Sequence, residues 1–201
     1  MRQTTAMTMQ AVKQALRQRI IAVREQLPLA SRIQWDAAIG LGIRQLREYL
    51  DARSVLAYMS FGSEVGTENW VRQALADGKR LLLPKVNAAS RELDVYRVSH
   101  LDEQLAAGAY GIREPLPERC EMTDVSEADF ILLPGVAFGR DGARLGYGGG
   151  FYDKLLARLQ HRPALVAGAY SAQVVEGIPQ EATDRKVEWL LTENETLHCG
   201  E

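Results

Sequence analysis

Cysteine and histidine are scarce in this 201-residue chain, which holds two of the first and three of the second. Cys120 and Cys199 lie far apart and belong to no C-x-x-C pair, so neither a disulfide framework nor a zinc site is encoded, and a reduced, cytoplasmic setting is expected. His100, His161 and His198 are isolated, and no His-Glu-x-x-His helix or Gly-x-Ser-x-Gly elbow occurs, which argues against hydrolase and zinc-enzyme chemistry. Long apolar runs are missing too. None approaches the roughly 18–20 residues that cross a bilayer, and residues 1–10 lack the apolar middle of a signal peptide. Nor is one sign of charge in excess. Twenty-four Lys and Arg against 26 Asp and Glu leave a net −2, which provides no global positive field for nucleic acid or an anionic membrane. An anionic ligand must therefore be met by a local cluster.

No repeat, low-complexity tract or Pro/Gly/Ser-rich linker divides the chain. Its length, with 46% hydrophobic and 25% charged residues, suits one domain over residues 1–201, with 1–10 expected as a disordered tail. Val12, Ala15, Leu16, Ile20, Val23 and Leu27 recur at helical spacing up to Pro28. Ile39, Ile43, Leu46 and Leu50 repeat the pattern after Ser31, so two amphipathic helices are predicted to open the chain. The period then changes. Short apolar runs at residues 55–59, 81–83, 130–133, 164–167 and 187–191 predict buried strands, while residues 68–76 and 151–160 predict helices. Near-continuous apolar strands alternating with helices predict a single-domain α/β fold of three layers, α/β/α, around a mainly parallel sheet. The alternating pattern of residues 93–98 predicts an edge strand. Ligands of such sheets collect beyond the carboxyl ends of the strands, which directs attention to residues 60–67, 84–85, 134–150 and the stretch from Tyr170.

The densest chemistry lies in Arg144-Leu145-Gly146-Tyr147-Gly148-Gly149-Gly150-Phe151-Tyr152-Asp153. Four glycines and a tyrosine stand directly ahead of a predicted helix, where amides unshielded by Cβ atoms form an anion cradle. A mobile surface loop is the alternative reading of glycines alone. Arg144 on one side supplies a forked cation, and Asp153 on the other supplies a hard oxygen ligand for Mg²⁺, so the combination favours a metal–nucleotide site. Phe151 stands where Gly-x-Gly-x-x-Gly needs its third glycine, and no P-loop lysine is present. Lys13 and Arg17 are one turn apart on the first helix. Taken alone, they read as a solvated face. Lys85 follows a strand at the presumed crevice, and Glu64 lies in the loop 61–67, where Thr67 is expected to cap the next helix.

These residues resemble the 5-formyltetrahydrofolate cyclo-ligase family, also called the 5,10-methenyltetrahydrofolate synthetases. The block from Arg144 to Asp153 carries the likeness. It is supported by Lys13-x-x-x-Arg17, Glu64-x-x-Thr67, Pro84-Lys85, Gly111-Ile112-Arg113-Glu114-Pro115 and Thr192-Glu193. The resemblance implies a three-layer α/β/α fold and an enzyme with two small-molecule substrates. It would close 5-formyltetrahydrofolate to 5,10-methenyltetrahydrofolate with ATP and Mg²⁺, releasing ADP and phosphate. It further implies that Lys13, Arg17, Lys85, Arg144, Leu145, Gly146, Tyr147, Gly148, Gly149, Gly150, Phe151 and Tyr152 meet ATP. Lys13, Arg144 and Tyr152 would be catalytic. Met59, Glu64, Tyr147, Gly148, Gly149, Gly150 and Phe151 would line the folate pocket, and Asp153 and Asp184 would hold the metal. Where the family often has His-Asp, this chain has Thr183-Asp184.

The residue inventory suits that chemistry. A formamide carbonyl is a poor electrophile, and ring closure through N10 requires its oxygen to leave, which phosphorylation permits. Such a transfer needs positioning and charge neutralisation more than a nucleophile of the protein's own. A non-catalytic nucleotide-binding module would share the glycine cradle without needing Glu64 and Lys85, whereas a small-molecule kinase would share both. Oligomeric state is not encoded, and a monomer is the simplest expectation.

Overall fold

A computed structural model describes residues 8–108, 111–181 and 184–199. Its helices are α1 (Met9–Glu25), α2 (Leu29–Gln45), α3 (Arg47–Asp51), α4 (Glu68–Ala76), α5 (Leu101–Gln104) and α6 (Phe151–Ala157). The first seven strands are β1 (Ser54–Leu56), β2 (Arg80–Asn87), β3 (Glu92–Val98), β4 (Leu105–Ala107), β5 (Arg113–Pro115), β6 (Glu121–Thr123) and β7 (Phe130–Leu132). The rest are β8 (Ala137–Gly139), β9 (Arg144–Leu145), β10 (Ala164–Gly168), β11 (Val174–Val175), β12 (Trp189–Leu191) and β13 (Thr196–His198).

The central sheet runs β13-β12-β10-β7-β1-β2-β3-β6. The five strands from β12 to β2 are parallel, and β13, β3 and β6 add antiparallel margins. Both faces of the parallel core are covered, which is why its strands read as continuous apolar runs. Val55, Leu81, Leu83, Phe130 and Leu132 pack with Ile39, Ile43, Tyr49, Trp70 and Val71 from α2, α3 and α4. Leu56, Leu82, Ile131 and Leu133 pack on the other side with Leu155 and Leu156 of α6. The expected mainly parallel three-layer arrangement is thus present.

Several expectations need correction. Residues 93–98 are not an edge, because β3 is bonded on both sides, to β2 and β6. β6 is too short and too polar to be read as a strand. The second predicted helix is two, since Leu46 adopts an extended backbone between α2 and α3. The last predicted helix stops at Ala157 instead of running to 160. The tail expected over residues 1–10 overlaps α1, which starts at Met9 and is capped by Thr8 Oγ1 accepting from Ala11 N at 3.2 Å. Residues 1–7 lie outside the described residues.

The order of strands locates the crevice. From β1 the chain crosses to β2 on one side, and β7 lies on the other side of β1 and leads on to β10. That reversal is a topological switch point, and ligands bind beyond the strand ends there. The loops leaving β1 and β7 are residues 57–67 and 133–150, which carry Glu64 and the glycines. β8 and β9 form a hairpin in the second loop, and β11 extends it to three strands. α1 lies across this small sheet, packing Leu16, Ile20 and Ile21 on Val136, Ala137, Ala143, Leu145 and Ile178.

Candidate active site

α1 buries only part of the stripe its apolar spacing predicts: Ile20, with Leu16 and Leu27 partly buried. Its buried residues are Lys13, Ile20 and Arg24, while Val12 and Val23 are exposed. The positions Lys13, Arg17, Ile20 and Arg24 follow one another by four, three and four residues, so they share one face. A cationic stripe can face inward only where anions or acceptors meet it. Lys13 Nζ donates to Asp184 Oδ2 at 3.0 Å, Arg17 Nε to the Gly146 carbonyl at 2.7 Å, and Arg24 Nη2 to the Tyr147 hydroxyl at 2.7 Å. The solvated-face reading of Lys13 and Arg17 is therefore wrong.

Arg17 anchors the glycine segment from above. Gly148 has φ +100°, and a Cβ there would come within 3.3 Å of the Arg17 guanidinium carbon. Gly150, at φ +67°, is the left-handed residue from which α6 starts. Both conformations are costly for any residue with a side chain. Gly149 does not have a positive φ. Its requirement is space, since a Cβ would meet the Phe151 ring at 2.7 Å. Gly149→Val is therefore expected to displace Phe151 and weaken ATP about tenfold or more, with folate affinity much less affected. Calorimetry on each ligand separately checks this, and unchanged ATP affinity in the folded variant would remove Gly149 from the nucleotide loop.

The two expected metal carboxylates are each tied to a cation. Arg144, almost wholly buried, donates from Nη2 to Asp153 Oδ1 at 2.7 Å and from Nη1 to the Pro134 carbonyl at 3.3 Å. Asp184 accepts from Lys13 and from Glu181 N at 2.9 Å. Burial raises the Asp184 carboxyl, but the Glu181 N–H, Lys13 and the charge of Arg144 outweigh it and hold it below its ordinary value. Arg144 thus acts on both carboxylates. Among the described residues, no group of three or more His, Cys, Asp or Glu could hold a metal ion. Two carboxylates without a closed protein cage are the donor set Mg²⁺ uses when phosphate oxygens and water complete its shell, so the residues present fit that ion. Thr183 lies outside the described residues.

A second polar cluster adjoins the first through Arg24 and Tyr147. Glu64, 7% exposed, accepts from Phe61 N at 3.0 Å. Burial raises its carboxyl, opposed by the Phe61 N–H, the Tyr147 hydroxyl and Arg24. Tyr58, Tyr147 and Tyr152 all feel the Glu64 charge, and burial with that charge keeps each hydroxyl protonated. Tyr152 is therefore a proton donor at neutral pH and not a base. Met59 is buried, and the Phe61 and Tyr147 rings lie 5.2 Å apart. Thr67 occupies the N-cap of α4 without capping it. Its hydroxyl instead donates to the Tyr58 carbonyl at 2.6 Å and accepts from Ser60 N at 2.9 Å, which shapes the loop that carries Glu64.

Lys85 bonds Glu114 Oε2 on β5 at 3.2 Å and no residue of the 134–153 segment. Leu145 is buried under α1, and its carbonyl accepts from Val136 N. Arg24 and Ser63, bonded to each other at 2.9 Å, were absent from the sequence-based set. The spacing of Arg24 from Lys13 and Arg17 was the available signal. A groove of about 500 Å³ lined by Leu156, His161, Arg162, Arg185 and Lys186 contains none of the expected site residues. Among the described residues, no helix is long and apolar enough to cross a membrane.

The chain is similar to known proteins over nearly its whole length. The model of the 5-formyltetrahydrofolate cyclo-ligase family matches residues 9–193. A 5-formyltetrahydrofolate cyclo-ligase from Mycolicibacterium smegmatis is 32% identical over 182 residues, covering 90% of this chain and 93% of that protein. One from Haemophilus influenzae is 28% identical, covering 86% and 92%. The solved structure of Aquifex aeolicus 5,10-methenyltetrahydrofolate synthetase superposes with a TM-score of 0.83 at 34% identity, covering 94% of each chain. With the match spanning the cationic face of α1, the Glu64 loop and the glycine segment alike, the chain belongs to the 5-formyltetrahydrofolate cyclo-ligase family of ligases.

Proposed function

We propose that this ligase uses ATP and Mg²⁺ to phosphorylate the formyl oxygen of 5-formyltetrahydrofolate and closes the ring through N10. The observation that carries the reading is the convergence of Lys13, Arg17, Arg144, Asp153 and Asp184 on the glycine segment beside the Glu64 pocket. Lys13, Arg17 and Arg144 neutralise the triphosphate, and the amides from Gly146 to Tyr152 hold it. Asp153 and Asp184 would hold Mg²⁺, which would supply further neutralisation of the triphosphate charge. Lys13 and Arg144 then carry the charge developing on the transferred group, while Tyr152, packed against both hydrophobic clusters, keeps its proton and can donate a hydrogen bond. Lys85 is included among the ATP contacts on the family resemblance alone, and Glu114 is its partner in the structure. Met59, Glu64, Phe151 and the segment from Tyr147 to Gly150 hold the folate.

The atoms balance without an acid or base of the protein's own. The formyl oxygen takes the γ-phosphoryl group and ADP leaves. N10 attacks the activated carbon, and phosphate departs with the former formyl oxygen and the N10 proton. The product is the 5,10-methenyl cation. A reduced, cytoplasmic setting and a monomer belong to the same proposal, the first because Cys120 and Cys199 form no C-x-x-C pair. Incubation with ATP, Mg²⁺ and 5-formyltetrahydrofolate, followed by absorbance of the methenyl chromophore, tests the proposal. Formation that stops when ATP is omitted is expected. ATP consumption without chromophore would point to a kinase, and binding of ATP without turnover to a non-catalytic module.

A further inference from the structure

Arg24 is 3% exposed, the most buried cation of α1. Its Nε donates to Ser63 Oγ at 2.9 Å and its Nη2 to the Tyr147 hydroxyl at 2.7 Å, with the guanidinium carbon 5.9 Å from the Tyr147 ring centroid. The side chain thereby joins the loop after β1 to the glycine segment after β7. The third nitrogen, Nη1, is buried and has no hydrogen-bond partner among the described residues. An unpaired N–H on a buried cation is costly and rarely left so in a finished site. An acceptor arriving with a ligand resolves it. Ser63 directly precedes Glu64, so its bond with Arg24 anchors the guanidinium beside the carboxylate, whose burial raises its pKa while Phe61 N, Tyr147 and the charge of Arg24 oppose that rise.

The pterin of a folate presents, along one edge, the 2-amino group, N3–H and O4. That edge reads donor, donor, acceptor. A carboxylate beside a guanidinium N–H is its complement, because the carboxylate accepts twice and the guanidinium donates once. We propose that Arg24 is a specificity residue for the pterin ring, its Nη1 donating to O4 while Glu64 accepts from the 2-amino group and N3. The proposal rests on the folate reading of the Glu64 pocket. It names the ring class the enzyme takes, a 4-oxo pterin over a 4-amino one. A 4-amino group would set N–H against N–H at Nη1. The bonds to Ser63 and Tyr147 hold the guanidinium so that it cannot turn away from this clash.

Calorimetry with 5-formyltetrahydrofolate, its 4-amino-4-deoxy analogue and ATP tests this on wild type, Arg24→Met and Arg24→Lys. A charge-assisted hydrogen bond predicts that wild type favours the 4-oxo ligand by roughly 10- to 100-fold. Arg24→Met should lose about tenfold or more of that ratio and Arg24→Lys should lose less, with ATP affinity nearly unchanged in both. A folded Arg24→Met with the wild-type ratio overturns the proposal. So does a fall in ATP affinity while the ratio holds, which would make Arg24 a scaffold of the nucleotide loop. Should Arg24→Met not fold, Ser63→Ala frees Nε and lets the guanidinium swing with its charge kept. A smaller ratio in that variant supports the proposal, and an unchanged one overturns it. Wild type that binds neither pterin overturns the folate reading itself.

Discussion

Asp153→Asn is expected to leave the fold intact and to reduce Mg²⁺-dependent turnover by about 10³-fold or more, the scale of losing one element of charge stabilisation in phosphoryl transfer. The substitution is informative because of Arg144. Asp153 Oδ1 accepts from the buried Arg144 Nη2 at 2.7 Å, and an asparagine oxygen can accept the same bond. The anchor survives while the charge and the second anionic oxygen disappear. Asp153→Ala would be a poorer choice, since it strands a buried guanidinium and confuses folding with catalysis. The competing account is that Asp153 simply favours the first turn of α6, a contribution of roughly 0.3–1 kcal/mol. Turnover measured against Mg²⁺ concentration, with a thermal melt for each protein, separates them. Near-normal kcat in Asp153→Asn would leave only the helix role.

Glu64→Gln is expected to raise the folate Kd about 10- to 100-fold while ATP binding holds, because one acceptor becomes a donor facing pterin N–H groups. A carboxylate beside the triphosphate would be repelled, which places its use on the folate side. Acidification adds a second readout. Burial raises the Glu64 carboxyl, so it takes up its proton at a higher pH than the ordinary value of about 4.3. Folate affinity that depends on the carboxylate is therefore full above the raised pKa and is lost as the pH falls through it. Glu64→Gln should be flat across that window. Loss of ATP affinity with folate affinity unchanged would assign Glu64 to the nucleotide half instead.

The parallel core was legible because its strands are covered on both faces, so Leu81-Leu82-Leu83 and Phe130-Ile131-Leu132 needed no alternation to be recognised. β8, β9 and β11 were not, since two or three residues carry no period, yet they form the platform on which α1 rests. The error at α1 has a different origin. Its apolar stripe was real in sequence, but Val12 and Val23 face outward while Lys13 and Arg24 face inward. Hydrophobicity cannot rank such faces when the buried one is held by ion pairs and carbonyls from residues over a hundred positions away. Asp184, the Gly146 carbonyl and Tyr147 become partners only once β7 and β10 are neighbours. The glycine segment could be read because close backbone approach leaves only one residue type available. For Gly149 the requirement lies in the space taken by the Phe151 ring and not in φ.

Transfer of the formyl oxygen to phosphate is the central claim. It can be followed by running the reaction with 5-formyltetrahydrofolate labelled with oxygen-18 in the formyl group and analysing the released phosphate by mass spectrometry. Phosphorylation of that oxygen before ring closure predicts one heavy oxygen in each phosphate formed, in step with the methenyl chromophore. Unlabelled phosphate accompanying full chromophore formation would mean that ATP is cleaved by water and that the formyl oxygen leaves by another route, which contradicts the account.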